Sequence, residues 1–128
     1  MGEYQVSKMI EVKAAELTEA ALDWAVAQAE GVNVTLSRWR GTGNMSCWLA
    51  DNPRTAFHPS NTWRQGGWVV ERNWLRASEW LSANLGSDWP EKLGGQSRGI
   101  LLWFCRAAVA IKLGDTVQVP AELMEVPE

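Results

Sequence analysis

The sequence predicts a small single-domain α+β fold, with two main helices over about 18–30 and 98–113, a third over 74–85, and a short antiparallel or mixed sheet. Three observations carry this reading. Residues 18–31 hold apolar side chains at helical spacing between an N-cap and a glycine stop, and the run Ile100-Leu101-Leu102-Trp103-Phe104-Cys105 is apolar on every side of a second helix. Short segments near both ends alternate apolar and polar residues, the period of a half-buried strand. At 128 residues, 46% of them apolar and 21% charged, the chain suits one hydrophobic core, and residues 1–128 are read as one domain.

A first short strand is expected at Met9 to Val12, with residues 1–8 as an extension ahead of it. Thr18 then stands at the N-cap of the first main helix, Glu19 in its first turn, and Gly31 where a left-handed residue closes it. Leu17 and Leu22 occupy the positions of a hydrophobic staple, while Ala21, Leu22, Ala25, Val26 and Ala29 form one apolar stripe. Val32, Val34 and Leu36 alternate with polar residues as a strand delivering Arg38, Trp39 and Arg40 to its end. Gly41 to Pro59 has the Gly, Asn, Ser, Asp and Pro chemistry of a long loop.

Gln65-Gly66-Gly67 reads as a tight turn feeding a short strand, Trp68 to Glu71, because paired glycines punctuate regular structure. Trp74 to Leu85 sets Leu75, Trp80, Leu81 and Leu85 along a helix that stops before Gly86, and Gly86 to Gln96 reads as loop. The second main helix, about Arg98 to Leu113, is closed by Gly114. A helix apolar all round belongs at the centre of a domain or in a subunit interface. Thr116 to Val119 alternates as a last strand, and Pro120 stops it.

Charge is unevenly placed. The net charge is −3, yet residues 38–76 hold six Arg, no Lys and two acids, flanked by acidic segments on both sides. The same stretch carries Trp39, Trp48, Trp63, Trp68 and Trp74, five of the nine tryptophans. Overall acidity argues against nucleic acid as a partner, since phosphate backbones are held by an excess of Lys and Arg. No apolar run approaches the ~18 residues of a spanning helix, so no membrane partner is expected, and the start lacks the apolar stretch of a signal peptide. Cys47 and Cys105 show no metal-ligand spacing and are expected to be reduced; no metal or cofactor is implied.

Three segments resemble the NinX-like family of lambdoid phage proteins. They are Lys13-Ala-Ala-Glu-Leu-Thr-Glu-Ala-Ala-Leu-Asp-Trp-Ala-Val-Ala27, Pro59-Ser-Asn-Thr-Trp-Arg-Gln-Gly-Gly67 and Arg106-Ala-Ala-Val-Ala-Ile-Lys-Leu-Gly-Asp-Thr-Val-Gln-Val-Pro120. The central one is similar to the family hallmark Pro-Ser-Thr-Asp-Trp-Ala-Gln-Gly-Gly, with Thr62 in place of the usual Asp, Arg64 in place of Ala, and Trp68 in place of the Pro that usually follows. The resemblance implies a phage origin, a host-cytoplasm setting and accessory status, and no particular activity.

Indole offers a rigid flat face for stacking, and the Arg fork meets phosphate or carboxylate two-pronged. Trp24, Trp80, Trp89 and Trp103 sit among aliphatic residues and read as core, whereas Trp39, Trp63 and Trp68 have Arg, Gly and Gln for neighbours. Gly66-Gly67 offers backbone N–H groups that could cradle an anion, or equally a plain turn. His58, the one histidine, lies near Ser60 and Asp51 but without any catalytic motif, so a hydrogen-bonding or structural His is expected and no catalytic residue is assigned. The ligand-binding candidates are Arg38, Trp39, Arg40, His58, Ser60, Thr62, Trp63, Arg64, Gln65, Gly66, Gly67 and Trp68. Together they point to a Trp/Arg pocket, within one chain or between two copies of a homo-oligomer, that sequesters a small anionic nucleotide-like ligand such as a host immune nucleotide signal. The rival reading is an inhibitor that binds a host protein through an exposed Trp/Arg patch. Single-stranded nucleic-acid binding and nucleotide hydrolysis rank below both.

Overall fold

The all-round apolar run at residues 100–105 forces the architecture, because a helix of that composition must be covered from more than one side. The computed structural model describes residues 8–39, 43–95 and 97–124. In chain order the elements are β1 (Met9–Lys13), α1 (Glu19–Glu30), β2 (Val34–Arg38), β3 (Met45–Leu49), β4 (Asn52–Ala56), α2 (Trp63–Arg72), α3 (Trp74–Leu85), α4 (Trp89–Leu93), α5 (Ser97–Leu113) and β5 (Thr116–Pro120). Single 3-10 turns stand at Ala14–Glu16 and Ala121–Met124.

Helix α5 lies at the centre of the domain. One face carries Cys105, Ala108 and Val109 into a cluster with Leu17, Leu22 and Val26 of the α1 region, Val69 of α2 and Val117 and Val119 of β5. The other face carries Leu101, Phe104 and Ala107 against Val70, Ala77, Leu81, Trp89 and Leu93 from α2, α3 and α4. Trp74 stacks on Phe104 at 5.2 Å between ring centroids, and Trp89 meets the same ring edge-on at 5.6 Å. Full burial of a side chain such as Phe104 or Leu101 contributes about 1.5–3 kcal/mol. Arg106 also belongs to α5 and is buried; its Nε donates to the Leu17 carbonyl at 2.8 Å and its guanidinium lies 4.5 Å from the Trp103 ring centroid.

The sheet is two sheets, both antiparallel. β1 pairs with β5, with Ile10 opposite Val119 and Val12 opposite Val117. β2, β3 and β4 form a separate meander in which Leu36 faces Cys47, with an irregularity in register at Trp48 and Leu49. The expected loop over Gly41 to Pro59 therefore holds two strands. The strands are hidden in the sequence because only Cys47 is fully buried in β3, and because β4 contains Pro53, which an edge strand tolerates where a central one would not.

The expected turn and strand at 65–71 are instead the middle of helix α2. Neither Gly66 nor Gly67 has a positive φ. Gly66, Val69, Val70 and Asn73 recur at helical spacing and are all buried. The glycine is there for proximity: a Cβ on Gly66 would stand 2.1 Å from the Pro59 carbonyl oxygen and 2.7 Å from Leu101 Cδ2. Gly86 to Gln96, read as loop, contains the short α4 with Pro90 in its first turn, where the missing N–H costs nothing. The Thr18 hydroxyl makes no capping bond; its carbonyl accepts the Leu22 N–H at 3.2 Å, and Glu19 opens α1 at φ +53°.

The ends of three helices are tied by one carboxylate. The Glu30 side chain is 0% exposed and accepts from Lys112 Nζ at 2.8 Å and Asn73 Nδ2 at 2.9 Å, with Arg72 Nε at 3.5 Å. Glu30→Ala should cost about 1–3 kcal/mol, read from urea midpoints, because the buried Asn73 amide loses an acceptor. The two glycines of α2 should respond oppositely in the same measurement. Gly66→Ala should destabilise by about 1–3 kcal/mol through overpacking, whereas Gly67→Ala, whose Cβ meets only Trp63 Cε3 at 3.7 Å, should gain about 0.5–1 kcal/mol. A turn and strand at 65–71 would give no such opposition.

Candidate functional site

The start of α1, β3, the segment 56–61 and the turn Ala121–Met124 enclose an open cleft of about 490 Å³. That volume lies within the ~300–1,000 Å³ of small-molecule sites. Its apolar lining includes Trp39, Met45, Phe57 and Met124, and its ionisable lining is Glu19, Asp23, Cys47, His58 and Glu122. No Lys or Arg among the described residues lines it.

Trp39 stands at the mouth of the β2–β3 hairpin, closed by Trp39 N–H to the Asn44 carbonyl and Gly43 N–H to the Trp39 carbonyl. Its ring is 46% exposed and braced by Trp48, with centroids 4.7 Å apart. Trp48 is in turn fixed by Nε1 donating to the Ser37 carbonyl at 3.3 Å.

Asp23 is the unusual member. It is only 5% exposed, and Ser60 donates to its Oδ1 twice, from Oγ at 2.7 Å and from the backbone N–H at 3.0 Å. These bonds fasten the 58–61 turn to α1. Burial pushes the Asp23 carboxyl up to about 7, outweighing the Ser60 bonds, with the negative Glu19 adding to the rise. Burial likewise raises the Cys47 thiol, whose Sγ donates to the Ala20 carbonyl at 3.6 Å. A neutral buried thiol is a poor nucleophile. Glu19, beside Asp23 on the cleft wall, holds a left-handed φ of +53°, a conformation that costs a non-glycine residue about 1–3 kcal/mol. Among the described residues no three His, Cys, Asp or Glu side chains come together to hold a metal ion.

The sequence-derived candidates divide between this cleft and the outer surface. Trp39 and His58 line it, and Ser60 supports it through Asp23. Gln65 acts from behind, accepting the His58 N–H at 2.7 Å and donating to the Ala56 carbonyl at 2.8 Å. Thr62 sits at the start of α2 with a buried hydroxyl that has no hydrogen-bond partner. Gly66 and Gly67 serve helix packing. Trp63 and Arg64 are exposed on α2 and Trp68 packs partly against the core, none of them lining the cleft. Arg38 turns to the hairpin, its Nη1 donating to the Gly43 carbonyl at 2.8 Å. Arg40 lies outside the described residues.

Glu19, Asp23, Phe57 and Asn61, the last held by Arg98 from α5, were not singled out by sequence. The one available signal was Asp23 itself, the sole charged side chain from Ala20 to Ala29 in an otherwise apolar helix.

Fold and cleft together define a small α+β domain with an aromatic-walled, carboxylate-bearing cleft. The profile of the family described as "Bacteriophage P22, NinX" matches residues 13–91, and the chain belongs to that family. No curated protein and no solved structure shows significant similarity to it. Among the described residues no helix is long and apolar enough to cross a membrane.

The raised Asp23 carboxyl links folding to pH. Its folded value, about 7, exceeds the ordinary 3.8, so between these limits the folded chain holds a proton that the unfolded chain has released. Stability from this group therefore falls as pH rises from about 4 through 7. Urea midpoints at pH 5 and pH 8 should show the wild type losing more stability than Asp23→Asn, whose amide oxygen can still accept from Ser60. Parallel losses would place the carboxyl in its ordinary range.

Proposed function

We propose that this protein is a phage accessory protein that binds and sequesters a small nucleotide-like ligand, with the base in the cleft against Trp39 and the phosphates outside it. The observation that carries this reading is the cleft itself, about 490 Å³ with a half-exposed indole on its wall. Base on indole is a sequence-tolerant contact of about 1–3 kcal/mol. The carboxylates of the lining exclude phosphate from the interior by like charge. Phosphates are instead directed outward, towards Arg38, which precedes Trp39 in the chain and stands off the cleft lining. The lining offers no activated nucleophile, and binding without turnover suits a role in withdrawing a host immune nucleotide signal from its receptor.

A second reading, an inhibitor that binds a host protein, draws on a different surface. Trp74 and Leu75 are exposed, Leu75 at 78%, and with Arg72, Arg76 and Ile111 they line a shallow groove between the α2–α3 junction and the end of α5. Leu75→Asp would disable a partner bound there and leave the cleft intact.

Isothermal titration against linear and cyclic nucleotides tests the first reading. Trp39→Ala should reduce binding by at least tenfold, while Trp63→Ala, whose ring is equally exposed but lies off the cleft, should leave it within twofold. Loss through Trp63 alone would move the site to α2.

A further inference from the structure

Asp23 presents the cleft with a half-satisfied carboxyl group. Both hydrogen bonds it accepts end on Oδ1, so that oxygen's lone pairs are taken by Ser60. Oδ2 accepts none among the described residues, although Asp23 is 95% removed from solvent by its 5% exposure and lines the cleft. Oδ2 is not among the fully buried unpaired oxygens, so it keeps an opening to the cleft, where an occupant that displaces water must replace the hydrogen bond that water supplies. The ionisable groups that share the cleft with it are Glu19 on the same helix, Cys47 from β3, His58 from the 56–61 segment and Glu122 from the Ala121–Met124 turn, and behind it the buried Cys105 of α5 feels its charge. The set includes no side chain with a fixed positive charge.

An occupant must therefore supply a hydrogen-bond donor to Oδ2 and a flat apolar face to Trp39. We infer that the cleft selects a planar heteroaromatic base bearing an exocyclic amino group, which donates to Asp23 Oδ2 while the ring lies against Trp39. Adenine, guanine and cytosine carry such a group; uracil and hypoxanthine carry a carbonyl or a hydrogen at the corresponding positions and can reach the carboxyl only through a ring N–H, with a carbonyl beside it that repels the charge. This inference rests on the nucleotide reading and narrows it to a base class.

Discrimination between a base that satisfies the cleft-facing oxygen and one that does not should be about 10–100-fold. It should also depend on pH. The ionised carboxyl is the stronger acceptor, so affinity for an amino-bearing base should fall as pH drops through about 7, where Asp23 takes up its proton.

The test is titration of the full chain at pH 8 and pH 5.5 with three pairs of monophosphates: AMP against purine riboside monophosphate, CMP against UMP, and GMP against IMP. The expected result is preference for at least one amino-bearing member by tenfold or more at pH 8, shrinking at pH 5.5 and abolished in Asp23→Asn checked for folding by circular dichroism. Binding of both members of every pair alike, or preference unchanged in Asp23→Asn, overturns the inference and leaves the nucleotide reading standing. No binding of any monophosphate by folded wild type overturns both. Comparing the pairs on wild type alone keeps the inference falsifiable should Asp23→Asn fail to fold.

Discussion

The burial of α5 is the constraint from which the rest of the structure follows. Ile100 to Val109 contains apolar side chains in every direction, and a helix with no polar face has no stable place at a surface. Covering it takes two layers. α1 and the β1–β5 pair close over Cys105, Ala108 and Val109, and α2, α3 and α4 close over Leu101, Phe104 and Ala107. The close approach at Gly66 is a local consequence, because α2 can reach Leu101 only where a side chain is absent. The β2–β4 meander is left to pack against the outer side of α1, and the cleft opens where the meander, the 56–61 segment and the Ala121–Met124 turn meet the start of that helix.

Helix α1 carries two buried carboxyl groups whose surroundings differ. Glu30 has donors from α2 and α5 and from the junction residue Asn73, so its charge is distributed among partners that hold three helix ends together. Among the described residues Asp23 has one partner residue, which engages one oxygen, and the other ionisable groups of its cleft are acidic or neutral. A fold optimised for stability alone would replace such a group or complete its hydrogen bonding. The incomplete group also lies beside the left-handed Glu19, so unfavourable terms concentrate on one wall of one cleft.

Much of the fold was legible because periodicity and punctuation agreed. The α1 stripe with its Gly31 stop, the apolar α5 and the spacing over Trp74 to Leu85 stand where the pattern places them, and the two end strands each run one residue further, to Lys13 and to Pro120, which pairs with Met9 rather than stopping the strand. Helix α2 was not legible for a definite reason: paired glycines signal a turn locally, and only the distant Pro59 carbonyl and Leu101 reveal that they serve packing. The β3–β4 hairpin was obscured by its own composition, short strands with a proline on the edge. At the site, Trp39, His58 and Ser60 were visible as chemistry, but the Trp and Arg of the central island proved to be spread between cleft, core and outer face. Sequence proximity reports the order of side chains along α2, and the helix then points Trp63 and Arg64 to solvent while Gly66 and Val69 turn inward. Asp23 was missed because a single acid in a helix is ordinarily a solvated one.

The extent of the family match sharpens what the cleft depends on. Residues 13–91 include the α1, β3 and 56–61 segments that line it, with Glu19, Asp23, Trp39 and His58 among them, whereas Glu122, Leu123 and Met124 fall outside. The matched stretch cannot hold this arrangement by itself. Leu22, Val26, Val69 and Leu81 all bury against α5, which lies beyond it, and Asn61 at the cleft edge is held by Arg98 from the same helix. The 58–61 turn is fixed to α1 through Ser60 and to α2 through Gln65, and α2 is fixed in turn by its close contact with Leu101. Most of the cleft lining thus sits on the matched segments while their relative positions are set by the central helix, so a change in α5 packing reaches the cleft without touching any residue that lines it.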